Sequence, residues 1–181
     1  MSKIVILKGS PRKKGNSNKM ADGFMEKALS NGHDVEILDI VNMKIGGCRA
    51  CNGCVAKKQC VFQDDFTSAV ESLKTADGIV VATPVYWYTF PSQMKAFIDR
   101  WYSLYVSGYI FEGKKVALIS CCEETTLDTF DGIKFSFEKT MALMKAEIVG
   151  EILIPGVVEV GDIDKTDGIE QAKELVEKFS I

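Results

Sequence analysis

The chain has 181 residues, 46% of them hydrophobic and 26% charged, with a formal net charge of −3 at pH 7. That balance excludes a disordered or fibrous polypeptide, and a chain of this length buries roughly 70% of the surface it exposes when unfolded, so it needs no staples. The slight acidity offers no global basic field for nucleic acid, and no stretch reaches the ~18 uninterrupted apolar residues of a membrane span.

The first apolar run, Ile4 to Leu7, lies between Lys3 and Lys8 and is too short for a signal-peptide core, so a cytoplasmic protein is expected. Lys3 to Lys8 reads as a short buried strand, ended by Gly9-Ser10-Pro11. From about Ser17 to Leu29, Met20, Phe24, Met25, Ala28 and Leu29 recur at helical spacing, and Asn31-Gly32 stops the helix. Asp34 to Ile40 is a second strand. An irregular stretch follows from Val41 to about Gln63, then a helix capped near Asp64 or Asp65 with Phe66, Ala69, Val70 and Leu73 on one face.

Gly78 to Thr83 is a third strand, apolar throughout, as strands covered on both faces are. Pro84 to Pro91 is a loop, and a helix runs from about Ser92 to Tyr105. Lys115 to Ser120 is the fourth strand, followed by a helical region to about Met144 in which Gly132 is a candidate interruption. Ile148 to Ile154 is the fifth strand, and Ile169, Ala172, Leu175, Val176 and Phe179 mark a closing helix. Strands alternating with helices predict one α/β domain over 1–181 with a doubly wound parallel sheet.

Ligands of such sheets bind beyond the carboxyl ends of the strands. The loop after the first strand, Gly9 to Asn18, joins small residues, the hydroxyls of Ser10 and Ser17 and the charge of Arg12 at a helix N-terminus, a composition suited to phosphate. It lacks the order of a nucleotide triphosphatase loop or of a dinucleotide fingerprint; the competing reading is a solvated basic turn with Ser17 as a helix cap. The loop after the third strand puts Tyr86, Trp87, Tyr88 and Phe90 within five positions, suited to stacking on a flat heterocycle or simply to packing. Together the two loops describe a site for a planar ring bearing one phosphate, which fits flavin mononucleotide (FMN) better than a dinucleotide.

The segment at about 42–62 carries Cys48, Cys51, Cys54 and Cys60 as C-x2-C-x2-C-x5-C. A single looping segment with this spacing resembles iron–sulfur ligation more than the paired knuckles of structural zinc, with zinc and free or disulfide-linked thiols as alternatives. Cys121 and Cys122 end the fourth strand near the expected ring and read as small apolar residues. His33, the only histidine, falls at the opposite end of the sheet. Asp64 and Asp65 read as helix caps, and Lys95 and Arg100 as solvated helix positions.

Three blocks, GSPRKKGNSN, CRACNGCVAKKQCVFQDDF and ATPVYWYTFPSQMKAFIDRWY, resemble the iron–sulfur flavoproteins of the NADPH-dependent FMN reductase superfamily, in order and over nearly the whole chain. The resemblance implies a flavodoxin-like fold with strand order 2-1-3-4-5. It implies FMN phosphate held by Ser10, Arg12, Asn16, Ser17 and Asn18, and a flavin ring flanked by Pro84, Val85, Tyr86 and Trp87, with the loop at Cys121 closing over it. It implies a [4Fe-4S] cluster on the four clustered cysteines, which oxygen exposure can strip. It further implies a homodimer or homotetramer, for which the aromatic segment Trp101 to Phe111 is suited. Electrons would pass between a one-electron donor such as ferredoxin, or NAD(P)H, and a small two-electron acceptor. Because the cofactors carry such chemistry, no side chain is assigned a catalytic role. The alternatives are an NAD(P)H-dependent FMN or quinone reductase whose cysteines hold zinc or nothing, and a non-enzymatic redox sensor or electron carrier.

Overall fold

The structure is a computed structural model, and it describes residues 1–180. Among the described residues, β1 (Lys3–Lys8), β2 (Asp34–Asp39), β3 (Gly78–Pro84), β4 (Lys115–Cys121) and β5 (Glu147–Ile154) form one parallel sheet in the order β2-β1-β3-β4-β5. This is the flavodoxin-like arrangement, whose switch point lies between β1 and β3.

Alternation along the central strands explains both faces. Val5, Leu7, Ile79, Val81, Val116 and Leu118 point into a core shared with α3 (Phe66–Thr75), α4 (Ser92–Asp99) and α6 (Asp131–Leu143). Their neighbours Ile4, Ile6, Val80, Ala82, Ala117 and Ile119 point into a second core against α1 (Asn16–Ser30) and α7 (Gly168–Leu175). The central strands therefore have no solvent face, which is why β1, β3 and β4 read as unbroken apolar runs. The edge strand β2 keeps a half-exposed pattern, with Ile37 37% accessible. In the first core Phe66, Phe97, Trp101 and Phe111 meet edge to face with successive centroid separations of 5.6, 5.8 and 5.1 Å.

Some local readings change. The helix expected over 92–105 is two pieces, α4 and α5 (Tyr102–Val106), because the chain tightens at Arg100 and Trp101, whose N–H groups bond to the carbonyls three residues back, of Phe97 and Ile98. Both side chains are buried there, Arg100 toward the cysteine segment and Trp101 into the aromatic row. The cysteine segment contains a short helix, α2 (Gly53–Lys57), that no periodicity announced. Gly132 does not interrupt a helix; it stands in the first turn of α6, after a 3-10 turn over Leu127–Phe130. The cap of α1 is Gly15 rather than Ser17, and Ser17 lies inside the helix. His33 is buried and its Nδ1 accepts the Ser2 N–H, a structural role. No helix among the described residues is long and apolar enough to cross a membrane.

Candidate functional site

Beyond the carboxyl ends of β1, β3 and β4 lies an open cavity of about 280 Å³. All the residues expected at the ring and phosphate line it except Asn18: Ser10, Arg12, Asn16 and Ser17 on one wall, and Pro84 to Trp87 with Cys121 on the other. Gly15, Cys122, Glu123, Val157 and Val158 join them. The last two follow β5, so a further strand end contributes that the reading of loops after the first four strands missed.

The β1–α1 loop is built to leave donors free. The opening N–H groups of a helix have no acceptor within the helix. Ser17 Oγ, a hydroxyl donor, is buried without a partner, a costly state unless something binds there; Asn18 Oδ1 is also partnerless but is an acceptor, which a phosphate does not satisfy. A Cβ at position 15 would collide with Ser10 Oγ and lie 3.0 Å from Arg12 O, so glycine here lets Ser10 keep its place in the loop. A phosphate supplies acceptor oxygens to the hydroxyl and N–H groups and fits this cradle.

Not every expected contact is available. Asn16 is committed to the chain: its Nδ2 donates to Glu159 O at 3.0 Å and its Oδ1 accepts the Gly161 N–H at 3.0 Å. Asn18 Nδ2 donates to Arg12 O at 3.2 Å, behind the cavity wall. Arg12 Nη1 donates to Val158 O at 3.0 Å, so Arg12 and Asn16 tie the loop after β5 to the loop after β1. Asp162 braces the same loop by accepting the N–H groups of Val158 and Glu159. Lys165 and these N–H bonds hold its carboxyl down at about 2.

The aromatic wall is a tight hairpin turn. Tyr86 and Thr89 exchange backbone hydrogen bonds of 2.9 and 3.1 Å, and Trp87 and Tyr88 between them take φ values of 48° and 63°. Non-glycine residues adopt this left-handed region at a cost, and such strain concentrates at binding sites. The turn leaves Trp87 93% exposed at the mouth of the cavity. The Val85 N–H donates to Cys121 O at 2.9 Å and fastens the base of the turn to β4. Burial, with a smaller contribution from Cys122, pushes the Cys121 thiol up to about 12, so it stays protonated at neutral pH. Cys121 and Cys122 belong to opposite cores and are not placed to pair.

Cys48, Cys51, Cys54 and Cys60 surround a separate cavity of about 20 Å³, beside Phe62 and Arg100. Cys48 and Cys51 are exposed, Cys60 is half-buried and Cys54 is buried. Ala50, Asn52 and Lys58 take positive φ, which curls the segment around the thiols. Burial pushes the Cys54 thiol up, and the neighbouring thiols of Cys60, Cys48 and Cys51 add to that, as expected where like groups crowd. Among the described residues no three Cys, His, Asp or Glu side chains converge on a point suited to a single ion. Four thiols from one curled segment are the donor set of an iron–sulfur cluster, whereas structural zinc usually draws its ligands as two pairs from separate knuckles.

Asp64 and Arg100 carry more than the expected roles. Asp64 does accept the Phe66 N–H at the start of α3, but it also accepts the Gly46 N–H and pairs with Arg100. Burial raises its carboxyl, and the Arg100 hydrogen bond with the two backbone N–H groups outweighs this and holds it below the usual range. Arg100 is 1% exposed and not solvated. A long polar side chain in a helical pattern gave no sign of this.

Residues 2–126 match the family model described as NADPH-dependent FMN reductase. An iron-sulfur flavoprotein of Methanosarcina thermophila is 36% identical over 118 residues, 65% of this chain and 62% of that protein. One from Archaeoglobus fulgidus is 40% identical over 98 residues, 54% of this chain and 44% of its own length. The matches thus span about half of these curated relatives. Among solved structures, an NAD(P)H:quinone oxidoreductase from Methanothermobacter marburgensis superposes with a TM-score of 0.74, 19% identity, and coverage of 99% of this chain and 96% of that one. An azoreductase from Bacillus anthracis superposes at 0.76, with 18% identity and coverage of 98% and 100%. These structural likenesses concern the fold.

Proposed function

The chain belongs to the NADPH-dependent FMN reductase family, and from that premise we propose that 1–181 acts as a single FMN-binding domain of a flavin-dependent oxidoreductase, with a [4Fe-4S] cluster on the loop at about 42–62. The observation that carries the flavin reading is the buried, partnerless Ser17 Oγ in a loop whose Gly15 leaves room for the Ser10 hydroxyl, at the end of a cavity walled by an aromatic turn. Ser10, Ser17 and the opening N–H groups of α1 hold the phosphate, with the Arg12 charge alongside. Asn16 positions the wall after β5, and Asn18 holds the loop in shape by donating its Nδ2 to Arg12 O. Pro84, Val85, Tyr86 and Trp87 flank the ring, and Cys121 closes its far side as an apolar, protonated thiol.

FMN supplies the capacity to take electrons singly or in pairs, which no side chain here provides. The cluster reading is supported by four thiols on one cavity and by the similarity to proteins named iron-sulfur flavoproteins. The acceptor is a small molecule admitted at the open mouth. The donor is NAD(P)H or an acidic one-electron carrier such as ferredoxin; the second is favoured by Lys44, Arg49, Lys57 and Lys58, all exposed on a loop that has no acidic residue over 42–62. We further propose a homodimer or homotetramer. In the segment considered for that contact Trp101, Leu104 and Phe111 are core residues, which leaves Tyr102 and Tyr105, each 44% exposed along a groove against α6, as its apolar surface.

The test is an absorption spectrum of protein purified without oxygen, with iron, sulfide and zinc analysis. Flavin bands over a broad iron–sulfur shoulder, with about four irons per chain, are expected. Flavin with zinc or no metal favours a plain NAD(P)H-dependent reductase, which the family description itself names. Absence of flavin overturns the reading.

A further inference from the structure

Arg100 lies at the end of α4 with its side chain sealed from water. Its Nη1 donates to Asp64 Oδ2 and to Gly46 O at 3.3 Å; its Nη2 donates to Phe62 O and to Cys60 Sγ, each at 3.2 Å. The Phe66 ring lies 4.2 Å from Cζ, and Nε has no partner. Every acceptor belongs to 46–64. One guanidinium therefore grips the entry of the cysteine loop at Gly46 and its exit at Cys60, Phe62 and Asp64. Asp64 completes the clasp by accepting the Gly46 N–H at 3.2 Å.

This placement goes beyond a helix-to-loop tie, because Cys60 and Arg100 line the same cavity as the other three thiols. A guanidinium stays charged in any protein environment. An N–H donor at a ligand sulfur stabilises the more negative, reduced state of a thiolate-held cluster, and such hydrogen bonds are among the factors that set cluster potentials; here the donor is Nη2 of a guanidinium whose charge also offsets the Asp64 carboxylate beside the loop. We propose that Arg100 is the positioning residue of the cysteine site: it clasps 46–64 into a preformed loop and, resting on the cluster reading above, raises the reduction potential of the cluster held there.

The test uses Arg100→Gln, which removes the charge, and Arg100→Lys, which keeps the charge and loses the fork. FMN content is measured in each as a check on folding. In metal-free protein, hydrogen exchange over 46–64 is expected to quicken at least tenfold in both variants, with β1 and β3 unchanged. Unchanged exchange in both overturns the clasp. In anaerobically purified protein, a potentiometric titration followed by the cluster signal is expected to move to lower potential in Arg100→Gln. The shift should be about tenfold in the oxidised-to-reduced ratio at fixed poise, ~59 mV for one electron, and Arg100→Lys should recover most of it. Faster exchange with an unmoved potential overturns the tuning and leaves a purely structural clasp. Wild-type protein without iron and sulfide overturns the cluster reading, and the tuning with it, while the exchange measurement still decides the clasp. If Arg100→Gln holds no FMN, exchange in Arg100→Lys decides alone.

Discussion

The backbone carbonyl of Tyr88 lies against Gly132 so closely that a Cβ at position 132 would overlap it. The left-handed aromatic turn beside the cavity thus leans on the first turn of α6, and its geometry depends on the absence of one methyl group. Gly132→Ala must push the turn outward or displace the helix. The expected result is an FMN dissociation constant about tenfold higher, or ~1.4 kcal/mol, with ~1–3 kcal/mol of overpacking strain partly offset by better helix propensity. Flavin fluorescence titration and thermal melts check this. A raised melting temperature with unchanged FMN affinity would mean that the contact gives without cost.

Ser17→Ala separates binding from stability. The hydroxyl has no partner within the protein and lies in the core of the loop. Removing an unsatisfied buried hydroxyl is neutral or mildly stabilising for the FMN-free chain, whereas losing a donor to a charged phosphate costs about 1.5–3 kcal/mol of affinity. A fall in FMN affinity of at least tenfold is expected, without a fall in the melting temperature of the stripped protein. A lower melting temperature with unchanged affinity would return Ser17 to an ordinary structural role.

What was legible follows from how each feature is encoded. The central strands are apolar because both faces are covered, so β1, β3 and β4 stood out directly, and their order completed the fold by resemblance. Loops at strand ends could be found by rule, which brought Ser10, Ser17 and Pro84 to Trp87 to one cavity. Arg100 could not be found that way. Its position on α4 looks solvated, and it is buried only because Gly46, Phe62 and Asp64 return to it across long sequence separations. The engagement of Asn16 with Glu159 and Gly161 is hidden for the same reason. The wall at Val157 and Val158 was within reach of the strand-end rule once extended to β5.

Cys121 gives a pH test with a definite sign. Its thiol is raised to about 12, chiefly by burial, against ~8.5 in an unfolded chain. The folded state holds the proton more tightly, so the stabilising contribution is complete below the unfolded value and is lost as pH climbs toward the folded one. Denaturant midpoints of the wild type should fall more between pH 8 and pH 10 than those of Cys121→Ala. At pH 8, iodoacetamide should modify the exposed Cys48 and Cys51 in metal-free protein and spare Cys121, as peptide mass mapping can read. Equal labelling at all three would show that the cavity floor opens to water.

The basic face of the cysteine loop separates the two candidate donors. Lys44, Arg49, Lys57 and Lys58 are exposed around Cys48 and Cys51, whereas the mouth of the flavin cavity is formed by a different set of loops. Steering between exposed charges is screened beyond ~10 Å at 0.1 M salt, and reversing charge at the rim of an interface acts mainly on the association rate. With an acidic carrier such as ferredoxin, the joint Lys57→Glu and Lys58→Glu variant should be reduced about tenfold more slowly at low salt. The difference from wild type should vanish as salt rises. Reduction by NADPH should be unaltered, because its target is the flavin. A slowed NADPH reaction would place that donor on the same face, and salt-independent reduction by ferredoxin would remove the loop from the docking surface.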